Sequence, residues 1–356
     1  MRTTLLISAL AGLAAAAPHP QKIDFDEVLG EPTPTQTGPS VDAVSDPVDY
    51  NAAVAAASAS AAVIADLSSG PSKRDVVELQ TVEKRGDCAK QPDGYGPKPT
   101  TDTVEAFEAF QTFHNTANTA PTPQGYSLSF KDLSASVNAN SYMGLYTFKT
   151  YDTIKCQQLC DSVDLCTAFN IYFERDPTVD PGTSCPNPPS FTNIKCTLWG
   201  SGVTKEAAVN DGQYRNDFHV VIAGSNGYTK DNPPSPIDGY DGPTRFGGAI
   251  NAPLNAAGKN TYMGVKYFPG LYDAGKCAAA CSANTAYNSR HPRADGTYDK
   301  CIFFNAYLLS KNNVADGTYC SLYTQQWGKP YDTNFGQYRG SDYYSVSSSY
   351  GFTVKA

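Results

Sequence analysis

Cysteine is the residue type whose spacing points first to chemistry: Cys156-x-x-x-Cys160 recurs as Cys277-x-x-x-Cys281. Two such residues one helical turn apart share a face, where they could serve a zinc ion or two disulfides. The chain has 10 cysteines, all at or beyond Cys88. An even count in an oxidising setting favours five bridges, with a zinc site as the alternative. Nucleophilic catalysis needs a base beside its nucleophile, and after residue 85 only His114, His219 and His291 could provide one. His114 and His291 have no counterpart elsewhere in the chain, and His219 falls in an apolar strand. Gly-x-Ser-x-Gly, His-Glu-x-x-His and phosphate-binding glycine loops are missing, so no catalytic residue, metal or cofactor is expected. Glycoside chemistry needs two carboxyls about 5–9 Å apart in a cleft. Glu105, Glu108, Glu174 and Glu206 are the only glutamates after residue 85. Glu174-Arg-Asp176 reads as a locally paired loop cap, and Asp217 and Asp342 as turn residues. A secreted hydrolase is kept as an alternative only.

Aromatic residues give the stronger signal, because they come in matched pairs. Tyr142 and Tyr262, Tyr214-Arg215 and Tyr338-Arg339 are candidate ligand-binding residues, since tyrosine and arginine favour interfaces and stack on sugars. Phe169, Phe304, Trp199 and Tyr323 read instead as core. The pairs belong to a tandem duplication. Asn140-Ser-Tyr-Met-Gly144 recurs as Asn260-Thr-Tyr-Met-Gly264, and Cys166-x-x-Phe-Asn-x-Tyr172 as Cys301-x-x-Phe-Asn-x-Tyr307. Cys196-Thr-Leu-Trp199 recurs as Cys320-Ser-Leu-Tyr323, and Gly212-Gln-Tyr-Arg215 as Gly336-Gln-Tyr-Arg339. Repeat one inserts a segment carrying Cys185; repeat two inserts one carrying His291, as surface loops allow. The join lies at 228–236, so domains are expected at 86–230 and 236–356.

The elements that must position these residues follow from composition. Segments 151–162 and 273–284 read as helices capped by Asp152 and Asp273. Segments 167–173 and 302–308, with those around Cys196 and Cys320, are β-branched and aromatic, hence strands. A further amphipathic helix is expected over 103–115, with Val104, Phe107 and Phe110 on one stripe.

With its two-cysteine helix, Cys-x-x-Phe-Asn strand and later Cys-x-Leu strand, the pattern resembles the PAN/apple domain superfamily. The resemblance implies an α+β fold of two disulfide-rich modules, each a helix packed on an antiparallel sheet, after a disordered leader. It also implies the bridges Cys156–Cys196, Cys160–Cys166, Cys277–Cys320 and Cys281–Cys301, which leaves Cys88–Cys185. Such domains bind proteins or carbohydrates. The whole chain looks like secreted proteins of filamentous fungi that carry an alanine-rich leader and a dibasic site.

Residues 1–17 form an expected signal peptide ending at Ala17. Segment 18–85 is expected to be a mostly disordered propeptide, with dibasic sites at Lys73-Arg74 and Lys84-Arg85. The formal charge is −8, and most of it lies before residue 86. A near-neutral body argues against nucleic-acid binding, and no segment has membrane-spanning length. The expected product is a secreted, non-catalytic protein that binds extracellular glycan or protein and associates with the cell wall. A structural wall or matrix protein and a precursor releasing 75–85 are its rivals, beside the hydrolase.

Overall fold

Asp152 and Asp273 each start a helix by accepting a backbone amide, from Lys155 at 2.9 Å and Gly275 at 2.7 Å. The paired cysteines then lie on the buried stripe of each helix. The computed structural model describes residues 21–32, 38–39, 45–69 and 87–356. The expected cleavage positions Ala17, Lys73, Arg74, Lys84 and Arg85 lie outside the described residues.

The chain opens with α1 (Phe25–Gly30), β1 (Ser45–Pro47) and α2 (Ala52–Ser69). The first repeat follows as α3 (Val104–Glu108), α4 (Gln111–Thr119), β2 (Tyr126–Leu133), β3 (Tyr142–Phe148) and α5 (Thr153–Ser162). It continues with β4 (Ala168–Pro177), β5 (Ser190–Trp199), β6 (Gly212–Arg215) and β7 (Phe218–Lys230). The second comprises β8 (Tyr240–Arg245), β9 (Tyr262–Pro269), α6 (Ala274–Arg290), β10 (Phe303–Lys311) and β11 (Val314–Tyr323). It closes with β12 (Gly336–Arg339) and β13 (Asp342–Val354).

One sheet has the order β1-β3-β5-β4-β7-β2, with β6 on β7. The other has the order β12-β13-β10-β11-β9, with β8 on β13. Neighbouring strands are antiparallel throughout. The chain is thus a mixed helix-and-sheet protein with five disulfides. These join Cys88–Cys185, Cys156–Cys196, Cys160–Cys166, Cys277–Cys320 and Cys281–Cys301, the pairs written above. In each repeat one bridge runs from the helix to β5 or β11, and the other to a cysteine two residues before β4 or β10. Phe169, Ile171 and Phe173 meet Cys196, Leu198 and the α5 cysteines in one core; Phe304, Ala306 and Leu322 do the same around α6.

The asparagine of the Phe-Asn block has a structural role. Asn170 Oδ1 accepts the Val137 amide, and Asn305 Oδ1 accepts that of Ile250, each at 2.9 Å. Their Nδ2 groups donate to Ser225 and Asn226, or to Ser349 and Tyr350, so the buried amides are fully partnered.

Three expectations need correction. The helix expected over 103–115 is two helices, because Phe110 is extended between α3 and α4. That break turns both Phe107 and Phe113 inward, and Phe113 stacks on Phe173 at 4.3 Å. The second-repeat helix continues through the insertion to Arg290, so part of the insertion is helix rather than loop. The leader, read as mostly disordered, takes regular structure and packs on the body over its described parts. Ile23, Phe25 and Val28 are buried against Tyr267, Tyr307, Tyr319 and Tyr344. β1 adds an edge strand to β3, and α2 lies along α6 with Ala59 and Val63 in the second core. The physical reason is that alanine faces present little apolar surface in sequence, yet two small-residue helices approach closely enough to exclude water.

The two repeats touch directly: Tyr272 N–H donates to Gly200 O at 3.0 Å, and Asn140 Nδ2 to Asp316 O at 2.8 Å. No helix among the described residues is long and apolar enough to cross a membrane.

Candidate functional site

The Gly-Gln-Tyr-Arg blocks form matched hairpins. Gly212 and Gly336 open them at φ 111° and 137°, with a carbonyl 2.0 Å or 2.3 Å from where a Cβ would stand. Only glycine meets both conditions. Asn210 and Asn334 brace the same turn, each side-chain oxygen accepting the glycine amide, at 3.3 Å and 3.1 Å. Short strands β6 and β12 then pair with β7 and β13, which sets Tyr214 opposite His219 and Tyr338 opposite Tyr343.

The outcome on each repeat is an exposed tyrosine backed by a half-buried ring. Tyr214 is 70% exposed and Tyr338 72% exposed. Tyr214 lies parallel to the His219 ring at 4.2 Å, and Tyr338 sits 4.8 Å from Tyr343. Phe335 is also exposed, with its ring near Gly247 and Gly248; the first repeat has Asp211 at the matching place. A flat ring held at the surface by a second ring can stack on the apolar face of a sugar or anchor a protein.

The other expected site residues are drawn elsewhere. Arg215 pairs with Asp180 at 2.7 Å, and the Arg339 guanidinium lies over the Phe25 ring at 5.3 Å. Tyr142 packs against Trp199 and donates to Asp46 at 3.1 Å; burial and that carboxylate push its hydroxyl well above the usual range. Tyr262 packs against Tyr323, with its hydroxyl also raised by burial. Neither projects from the surface as Tyr214 and Tyr338 do.

The titratable groups form no common cleft among the described residues. His219 belongs to the first hairpin, and His291 stacks on Tyr287 at 4.1 Å. Both ring nitrogens of His114 meet acceptors, Asp132 Oδ1 at 2.8 Å and Glu108 O at 2.7 Å. Glu174 and Asp176, expected to cap a loop, lie in β4 because that strand runs on to Pro177. Glu174 meets Lys195 Nζ, Asp176 lies 3.7 Å from it, and Asn193 donates to Asp176 at 2.7 Å. Burial, followed by the neighbouring Asp176, pushes the Glu174 carboxyl up to about 8. The two acids therefore face a buried lysine and are almost closed to solvent. All described cysteines are in disulfides, so the Cys-x-x-x-Cys pairs offer no thiolate to zinc.

A set of amides escaped the sequence reading. Asn251, Asn334 and Gln337 hold the backbone of the leader, as described below. A signal for them existed: Val137-Asn138-Ala139 matches Ile250-Asn251-Ala252, and Asn210 matches Asn334, as two more repeated blocks.

Compared with known proteins, the chain matches no family model, no curated protein and no solved structure.

Proposed function

We propose that this is a secreted, non-catalytic binding protein whose two PAN/apple-like modules recognise an extracellular polymer, foremost a cell-wall glycan, through their hairpin aromatics. The observation that carries the reading is the duplicated exposed tyrosine, Tyr214 on His219 and Tyr338 on Tyr343. Rings this exposed contribute little to the core, and the same hairpin places both. The disulfide frame supports an oxidising compartment. Two equivalent sites on one chain gain avidity on a repeating polymer without any new contact.

The test is pull-down of the full chain by chitin and by β-glucan. Tyr214→Ala with Tyr338→Ala should weaken retention by at least tenfold, since a stacked ring is worth about 1 kcal/mol per site and the sites act together. Unchanged retention by the folded double variant rejects the hairpins as the site. A structural wall component would instead resist detergent extraction and show no saturation. Saturable capture of a protein, lost in the same variant, would move the ligand class to protein.

A further inference from the structure

The segment from Gln21 to Val28 is held by the second repeat in the manner of a bound peptide. Its backbone is read by side chains. Gln21 N–H donates to Asn251 Oδ1 at 2.7 Å, and Asn334 Nδ2 donates to Gln21 O at 3.0 Å. Two residues on, Ile23 N–H donates to Gln337 Oε1 at 3.0 Å, while Gln337 Nε2 donates to Ile23 O at 3.4 Å. Asp24 N–H then donates to the Tyr319 hydroxyl at 2.7 Å. Such bonds would serve any extended main chain, whatever its side chains.

Specificity comes from the alternate residues. Gln21 Oε1 accepts from the Tyr323 hydroxyl at 2.8 Å, and Ile23 and Phe25 are buried, whereas Lys22 and Asp24 point to solvent. Phe25 meets Tyr344 edge-on at 4.8 Å. At the far end Glu27 meets Lys266 at 3.0 Å. A polar and an aliphatic residue two apart on open chain, then a helical turn that opens with an aromatic residue and carries acids, is the chemistry this surface fits.

The first repeat lacks this surface at the same register. Across the second sheet the row is Tyr307, Tyr319, Tyr267; across the first it is Tyr172, Lys195, Thr147. Leu309 is matched by Glu174, and Tyr344 by Val220. Asn210 spends its amide on Ser136 Oγ at 2.9 Å, where the second repeat has Ala249 and leaves Asn334 to the segment. The copies thus differ at the positions that face the segment.

We propose that the tyrosine-lined face of the second sheet is a binding groove for a peptide that enters as open chain and turns into a short helix, as residues 21–24 and α1 do. Residues 21–28 fill it in the intact chain, and a peptide of the same chemistry from another molecule takes it when they are displaced. The proposal rests on the binding-protein reading but not on the hairpin tyrosines, which its test leaves untouched.

The probe is a fluorescent synthetic peptide of residues 21–32, titrated into the full chain. Ile23→Asp with Phe25→Asp should vacate the groove and bind the probe at least tenfold more tightly than the unchanged chain. Adding Gln337→Glu, which loses the amide donor and sets a charge against a carbonyl, should weaken that binding at least tenfold. A probe with its own Ile and Phe replaced by Asp should not bind. Equal binding to both chains, or binding indifferent to Gln337→Glu, overturns the proposal. Should the leader variant misfold, hydrogen exchange on the unchanged chain decides. The Ile23 and Asp24 amides should be protected, and Gln337→Ala, which removes the acceptor of the Ile23 N–H, should release Ile23 first. Exchange of both amides at unstructured-chain rates also overturns it.

Discussion

Lys195 sits between Glu174 and Asp176 where the second repeat has a tyrosine, and this one difference alters the energetics of the first sheet. A buried cation between two acids compensates charges that burial alone would make costly. Lys195→Met leaves both carboxyls without it and should cost about 3–5 kcal/mol at neutral pH, measured by urea unfolding. Glu174 fixes the sign of the pH dependence in the unchanged protein. Its folded value, about 8, lies above the ordinary carboxyl range, so the folded state holds a proton that the unfolded state releases. Its contribution to stability is therefore present in acid and falls as pH rises from the ordinary carboxyl value to about 8. Glu174→Gln should flatten stability across that window; parallel curves would reject the assignment. None of this was legible in Glu174-Arg-Asp176, because the sequence did not show that β4 extends past Phe173.

Helices α3 and α4 are pinned by a histidine rather than by their stripe alone. His114 meets Asp132 and the Glu108 carbonyl, and only the doubly protonated ring can donate to both. Burial lowers its affinity for the proton, but the Asp132 and Glu108 bonds outweigh that and raise it. A raised histidine contributes stability that is full below its unfolded value and lost as pH rises through the folded one. Amide protection in α4 should therefore fall as pH rises past the ordinary histidine range in the unchanged chain and lose this dependence in His114→Gln. The helix caps Asp152 and Asp273, the cysteine stripes and the paired strands were readable, since each rests on local spacing. The break at Phe110 was not, because it serves packing on Phe173, far away in sequence. The length of α6 was missed for a similar reason. Its final turns gain from α2, with Tyr287 donating to Leu67 O at 2.9 Å.

Over the whole molecule, the leader connects the repeats. It lies on the second sheet at α1, pairs with the first at β1 and returns to the second along α6. Lys266 takes Glu27 from α1 at 3.0 Å and Asp66 from α2 at 2.8 Å, so one ammonium clasps both leader helices. The duplication was legible because five blocks keep their order, whereas the docking of an alanine-rich leader depends on a partner face that no local pattern announces. Secreted protein is expected to begin at Gly86, read by N-terminal sequencing; a start at Pro18 would reject scission after Arg85. The severed leader should still copurify with the body. Val63→Asp, which sets a carboxylate into the fully buried contact of α2 with the second core, should release it.

The contact of Ile23 and Phe25 with the tyrosine face then has a consequence for dose response. While the chain is continuous, any outside peptide competes with a tethered rival whose local concentration is on the order of millimolar. Scission after Arg85 followed by release of the docked leader would remove that floor, since a departed leader rebinds only at the bulk concentration of the protein. The Cys88–Cys185 bridge would hold the new end in place meanwhile. A cut and the loss of the leader would together reset the threshold at which the second repeat responds, with no change in the groove itself.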